Sequence, residues 1–163
     1  MTGIAALQNA LHSTSFLLTN ALTDLGDADL LVRPVPNANH AAWQLGHLIN
    51  AEQGLVTSQL PNAAMPALPA GFKETHAMER TGADDGAFLT KAEYVDLFTR
   101  TRAATLAALE TLTDADLDKP TTGRMAAMAP TLGAWFVLIS NHTLMHGSQI
   151  SVIRRKLGKP VLF

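Results

Sequence analysis

The sequence predicts an all-α fold, a four-helix bundle, on three observations. Alanine (26) and leucine (24) far outnumber valine and isoleucine together (12), and Ala and Leu are inexpensive in helices whereas β-branched residues favour strands. Four long stretches repeat apolar residues at helical period. Proline-bearing stretches separate them: Pro34 and Pro36, then Pro61, Pro66 and Pro69, then Pro120 and Pro130.

The first helix is expected over about residues 3–24. Ile4, Leu7, Leu11, Leu18, Leu22 and Leu25 are spaced by three, four or seven and form one apolar stripe. The turn-rich stretch Arg33-Pro34-Val35-Pro36-Asn37-Ala38-Asn39 precedes a second helix, from about Ala41 to Leu60. The third begins at Thr90, where Glu93 three residues on makes a capping box, and continues through Tyr94, Leu97, Phe98, Thr101, Thr105, Ala108, Leu109 and Leu112. The fourth opens after Pro130 with Thr131 as N-cap and runs to Leu157, where Gly158 is the stop. Residues 61–89, between the second and third helices, form a segment too long for a helical hairpin, whose links are usually about 2–8 residues. That length suits a crossover returning along the bundle, which would set the two helices it joins parallel. Leu25-Gly26-Asp27-Ala28-Asp29-Leu30 recurs as Leu112-Thr113-Asp114-Ala115-Asp116-Leu117. Two related hairpins explain the recurrence, and so does a helix-start phrase arising twice.

Composition narrows function. One domain is expected over residues 1–163. Net charge is −2 and the pI about 6.3, so no basic footprint for nucleic acid or anionic membrane is present. No cysteine occurs, which removes disulfides, thiol nucleophiles and zinc–thiolate sites. The first 25 residues lack a basic leader pattern, and the apolar run Leu132 to Ile139 is too short to span a bilayer. A soluble, cytoplasmic protein is the expectation. Charged residues make up only 16%, low enough to suggest that some apolar surface meets another subunit.

The chemistry lies in the histidines. His142 and His146, four apart in Asn141-His142-Thr143-Leu144-Met145-His146-Gly147-Ser148-Gln149, share one helix face. At about 100° per residue, Trp135, Leu138, Ile139, Gln149 and Ile153 all fall within about 60° of His142, so the pair continues a stripe that is otherwise core. A buried imidazole must hydrogen-bond or bind something, and neutral imidazole is the commonest metal ligand. His47 is the third candidate, with the small residues Ala51, Gly54 and Ser58 on its side of the second helix. On its residues alone, His47 reads equally as a hydrogen-bonded core histidine.

Trp43-Gln44-Leu45-Gly46-His47-Leu48 with Glu52, followed by His142-xxx-His146-Gly147-Ser148-Gln149-Ile150 and Arg154-Arg155-xxx-Gly158, resembles the DinB-like superfamily over essentially the whole chain. The resemblance implies a four-helix bundle with an up-down-down-up course and a homodimer. It also implies a divalent metal (Zn, Ni, Fe or Mn) held by His47, His142 and His146, with water in the remaining positions. Some members are thiol S-transferases using mycothiol, bacillithiol or another small thiol, and others are described as metal-dependent hydrolases. A small-thiol S-transferase acting on an electrophilic small molecule is the leading expectation. The alternatives are a hydrolase, a bundle fastened by a structural ion, and a metal-free interaction domain. Three imidazoles leave a cation its full charge and open coordination positions, which is the catalytic arrangement.

The remaining residues have weaker roles. Gln149 is expected either to orient a site histidine or to satisfy buried backbone. Glu52 points about 140° away from His47 and suits a buried arginine pair or a subunit interface. Trp43 suits core packing, while Asn50 could line a pocket. His12 is expected in solvent and His76 on a surface loop, with a lid role as its alternative. His40 is expected to cap the second helix, and it is the reserve ligand. The crossover and residues 118–130 are expected to shape the substrate mouth.

Overall fold

Each of the four expected helices starts on a side chain that satisfies orphan N–H groups. In the computed structural model, which describes residues 1–160 and 162, the helices numbered in chain order are α1 (Gly3–Leu22), α2 (Ala41–Gln59), the single turn α3 (Phe72–Thr75), α4 (Lys91–Glu110) and α5 (Leu132–Lys156). Thr2, His40, Thr90 and Thr131 accept from the main-chain N–H three residues on, and Thr90 with Glu93 completes the capping box. Gly158 closes α5 at φ 68°, a left-handed conformation that glycine adopts without cost. No strand is present among the described residues, and no helix there is long and apolar enough to cross a membrane.

Hydrogen bonds between helices set their directions. Ser140 reaches Ala10 and Arg154 reaches Ala21, so α1 and α5 run parallel. Gln53 meets Thr101, Glu52 meets Arg102 and Thr105, and Leu45 and Ile49 share a core layer with Tyr94 and Phe98. Val56 packs in the other layer with Leu109, so α2 and α4 are also parallel. Gln44 meets His146 and Leu55 meets Trp135, which makes α2 and α5 antiparallel. The course is up-down-down-up, and residues 61–89 are the crossover that permits it.

The internal repeat has a structural role. Each copy forms a 3-10 turn, Ala28–Leu31 and Asp114–Asp118. Asp27 accepts from Lys91 N at the start of α4 (2.7 Å), and Asp114 accepts from Gly3 N and Ile4 N at the start of α1 (3.2 and 3.0 Å). Each hairpin's turn therefore supplies the carboxylate at the positive end of the other hairpin's first helix.

The core has two apolar layers with a polar one between them. Leu18, Leu22, Leu45, Ile49, Tyr94, Phe98 and Ile150 lie in one layer, and Leu11, Val56, Leu109, Trp135 and Phe136 in the other. Between them Arg102 Nε and Nη2 donate to the two Glu52 oxygens, both at 2.8 Å, with both residues buried. Thr105 donates to Glu52 (2.7 Å), and Arg102 donates to Leu11 O and Thr143 Oγ1 (2.8 Å each). One ion pair thus touches all four helices. Its charges are fully hydrogen-bonded, which offsets the several kcal/mol that desolvating an ion costs.

Candidate metal centre

The antiparallel α2–α5 pair brings His47, His142 and His146 together. One ligand nitrogen from each lies within 4.8 Å of the other two. His146 is buried, while His47 and His142 are half-buried at the bundle edge. Trp43, buried in the core, stacks on His47 with ring centroids 4.9 Å apart and planes 6° from parallel.

A chain of hydrogen bonds fixes one imidazole. Gln44 Nε2 lies 2.9 Å from the Asn39 carbonyl, which can only accept, so the amide nitrogen faces Asn39. Gln44 Oε1 then faces His146 Nδ1 at 3.0 Å, and Nδ1 must donate. In the neutral ring this leaves a lone pair on His146 Nε2, which points at His142 Nε2 3.2 Å away. Tetrahedral coordination at zinc–imidazole distances of about 2.0–2.1 Å puts neighbouring nitrogens about 3.3–3.4 Å apart. The His142–His146 separation fits a shared ion, and an outer amide that orients a ligand histidine is a recurrent feature of metal sites.

Electrostatics favour the neutral, ligating form. Burial lowers His142 to about 4, with His47 adding to the effect. Burial, then His142 and His47, lower His146 to about 3. His47 is also lowered by burial, opposed by a hydrogen bond to the His76 main chain.

His47 and His142 open onto a cavity of about 520 Å³ also lined by Ala51, Gly54, Leu55, Met78, Arg124, Met125 and Leu138. A Cβ on Gly54 would meet nothing within 4 Å, so the small residues beside His47 leave a cleft rather than a tight helix contact. Met78 comes from the crossover, and Arg124 and Met125 from the 118–130 loop, the two segments expected at the mouth.

Two expectations need correction. Gln149 is exposed and makes no hydrogen bond to a site histidine among the described residues; Gln44, which had no assigned role, fixes His146 instead. His76 is a buried anchor rather than a surface residue. Its Nδ1 donates to Phe72 O and its Nε2 accepts from Tyr94 Oη, both at 2.8 Å, while Tyr94 Oη accepts from Leu89 N. The ring lies on Gly46, where a Cβ would come within 2.0 Å of His76 Cδ2. Other assignments stand: Glu52 pairs with Arg102, His12 is exposed, and buried His40 caps α2 through Nδ1 (3.1 Å to Trp43 N). Asn50 donates to Lys73 O (3.4 Å), bracing the crossover, and is not among the residues lining this cavity.

A profile of the DinB superfamily matches residues 10–150. Comparison with curated proteins yields no match. Among solved structures, the chain is similar to YfiT from Bacillus subtilis, described as a probable metal-dependent hydrolase with an unusual four-helix bundle topology. The match has 18% identity and a TM-score of 0.67, covering 96% of this chain and 89% of YfiT. At that identity the likeness speaks to the fold.

Proposed function

The chain belongs to the DinB superfamily, and from that premise we propose that it is a divalent-metal-dependent enzyme with His47, His142 and His146 as the ligands. The observation that carries the reading is the orientation of the cluster: His146 is anchored in the core by Gln44, while His47 and His142 face a cavity large enough for a small molecule. Zinc, nickel and iron suit imidazole donors, manganese binds them least strongly, and cellular supply chooses among them. A divalent ion bound there would supply Lewis acidity and hold a thiol ionised near neutral pH.

The reaction we favour is transfer of a small thiol to an electrophilic small molecule. The thiol proton leaves to solvent, sulfur forms a bond to the electrophilic carbon, and the leaving group departs with its bonding pair. The chain's contribution is placement. Gln44 and Trp43 hold two imidazoles, and Leu55, Met78, Met125 and Leu138 offer an apolar wall to the body of the electrophile. The apolar, cationic cavity lining supports this reading because an ionised sulfur needs no side chain to take its proton.

The description of YfiT favours hydrolysis as the second reading. Titrating zinc-loaded protein with glutathione, mycothiol and bacillithiol by calorimetry separates the two. Tight binding of at least one thiol is expected. No thiol binding, with cleavage of a chromogenic ester, would favour the hydrolase.

A further inference from the structure

The cavity beside His47 and His142 has one cationic side chain in its lining, Arg124, and no carboxylate. Its walls are otherwise mainly apolar: Leu55, Met78, Met125 and Leu138. Arg124 differs from most of the chain's arginines. Arg33, Arg80, Arg100, Arg102 and Arg154 each pair with an aspartate or glutamate. The Arg124 guanidinium has neither an ion pair nor a hydrogen bond among the described residues, and it is exposed at the cavity mouth.

The turn that carries it is braced. Gln59, the last residue of α2, donates to Thr122 O and accepts from Thr122 N, both at 3.1 Å. Thr121 N bonds Pro130 O (3.0 Å), and Thr121 Oγ1 donates to Ala129 O. Gly123 supplies the left-handed bend, φ 91°, immediately before Arg124. The main chain is therefore tied to α2 and to the start of α5, leaving the guanidinium with five unused donors at the mouth.

Resting on the enzyme reading above, we propose that Arg124 selects the substrate by receiving the carboxylate of a small monoanionic molecule whose apolar body fills the cavity. The planar guanidinium fork matches a carboxylate with two parallel hydrogen bonds. Leucine and methionine walls match a hydrocarbon or aromatic body. One guanidinium carries a single positive charge, which balances a carboxylate monoanion and leaves a phosphate dianion only half compensated. The substrate class is a carboxylic acid with its reactive carbon set back from the acid group, so that the acid sits at the rim and the reacting atom beside His47 and His142.

The test compares 4-phenylbutyrate with its neutral amide by calorimetry, on zinc-loaded and on metal-free full-length protein. Wild type is expected to bind the acid about three- to tenfold more tightly than the amide in both forms, the range for a charge-assisted contact at a partly solvated rim. Arg124→Ala should remove the preference and Arg124→Lys keep part of it, with the melting temperature unchanged because the side chain is exposed. A preference that survives Arg124→Ala overturns the proposal, as does one confined to the zinc form, which marks direct coordination. Failure of wild type to favour the acid also overturns it. The metal-free arm decides Arg124 even if the chain binds no metal, so the two readings fail separately.

Discussion

Replacing Gln44 with leucine is expected to lower zinc affinity by about 10–100-fold, the usual cost of losing an outer hydrogen bond to a ligand histidine. Leucine nearly conserves volume at this buried position and removes two contacts together, Asn39 O to Gln44 Nε2 at 2.9 Å and Gln44 Oε1 to His146 Nδ1 at 3.0 Å. A buried donor left without an acceptor costs about 1–3 kcal/mol. The ring can avoid part of that cost by moving its proton to Nε2, which aims an N–H at His142 where a lone pair is needed. Either response works against the ion, and the fold-loss corresponds to about 1.4–2.7 kcal/mol. Competition against a chelator of known affinity measures it, with urea denaturation of the metal-free protein run alongside to confirm folding. A folded Gln44→Leu protein whose zinc affinity stays within about twofold of wild type would refute the assignment of Gln44 as a positioning residue.

Three further outcomes are expected. Glu52→Gln leaves Arg102 as a buried charge without its counter-ion and should cost about 3–5 kcal/mol in urea denaturation; a loss under about 1 kcal/mol would contradict the four-helix role of the pair. In metal-free protein, buried His40 titrates near 4 rather than 6.5, desolvation being the main cause and Arg33 the next. Its unfolded form binds more protons between those values, so its contribution is complete above about pH 6.5 and lost as pH falls towards 4, by roughly 3 kcal/mol. His47, His76, His142 and His146 shift in the same direction, so a urea midpoint that is flat from pH 7.5 to 4.5 would be inconsistent with them. Gly46→Ala drives a methyl into the His76 ring and should destabilise by about 1–3 kcal/mol, with faster proteolysis of the 61–89 segment; unchanged cleavage would show that His76 does not anchor it.

Helices and caps were legible because their signals are local. Thr90 with Glu93, Thr131 and Gly158 lie within a few residues of the groups they satisfy. The parallel α2–α4 arrangement followed from the length of the crossover. Long-range partners were not legible. Gln44 acts on a histidine 102 residues away, and its one advance signal was its position on a largely apolar helix. His76 read as surface because its segment is rich in Pro and Gly, yet its burial comes from a missing Cβ on another helix. Helical angle sets Gln149 beside His142, but His142 sits at the edge of the buried face of α5. That face is centred on Ile139, Thr143, His146 and Ile150, and Gln149 falls outside it beside exposed Ser148. The His142–His146 pair declared itself by spacing. The small neighbours of His47 mark it, and only the family resemblance proposes it as a ligand; the antiparallel α2–α5 packing supplies the physical reason it lies beside the pair.

The central claim is that three histidines form one metal centre, and elemental analysis of untagged protein tests it most directly. About one divalent ion per chain is expected, with occupancy lost in His47→Ala, His142→Ala and His146→Ala while the helical content is kept. A metal-free preparation that also fails to take up added zinc or nickel would contradict the account.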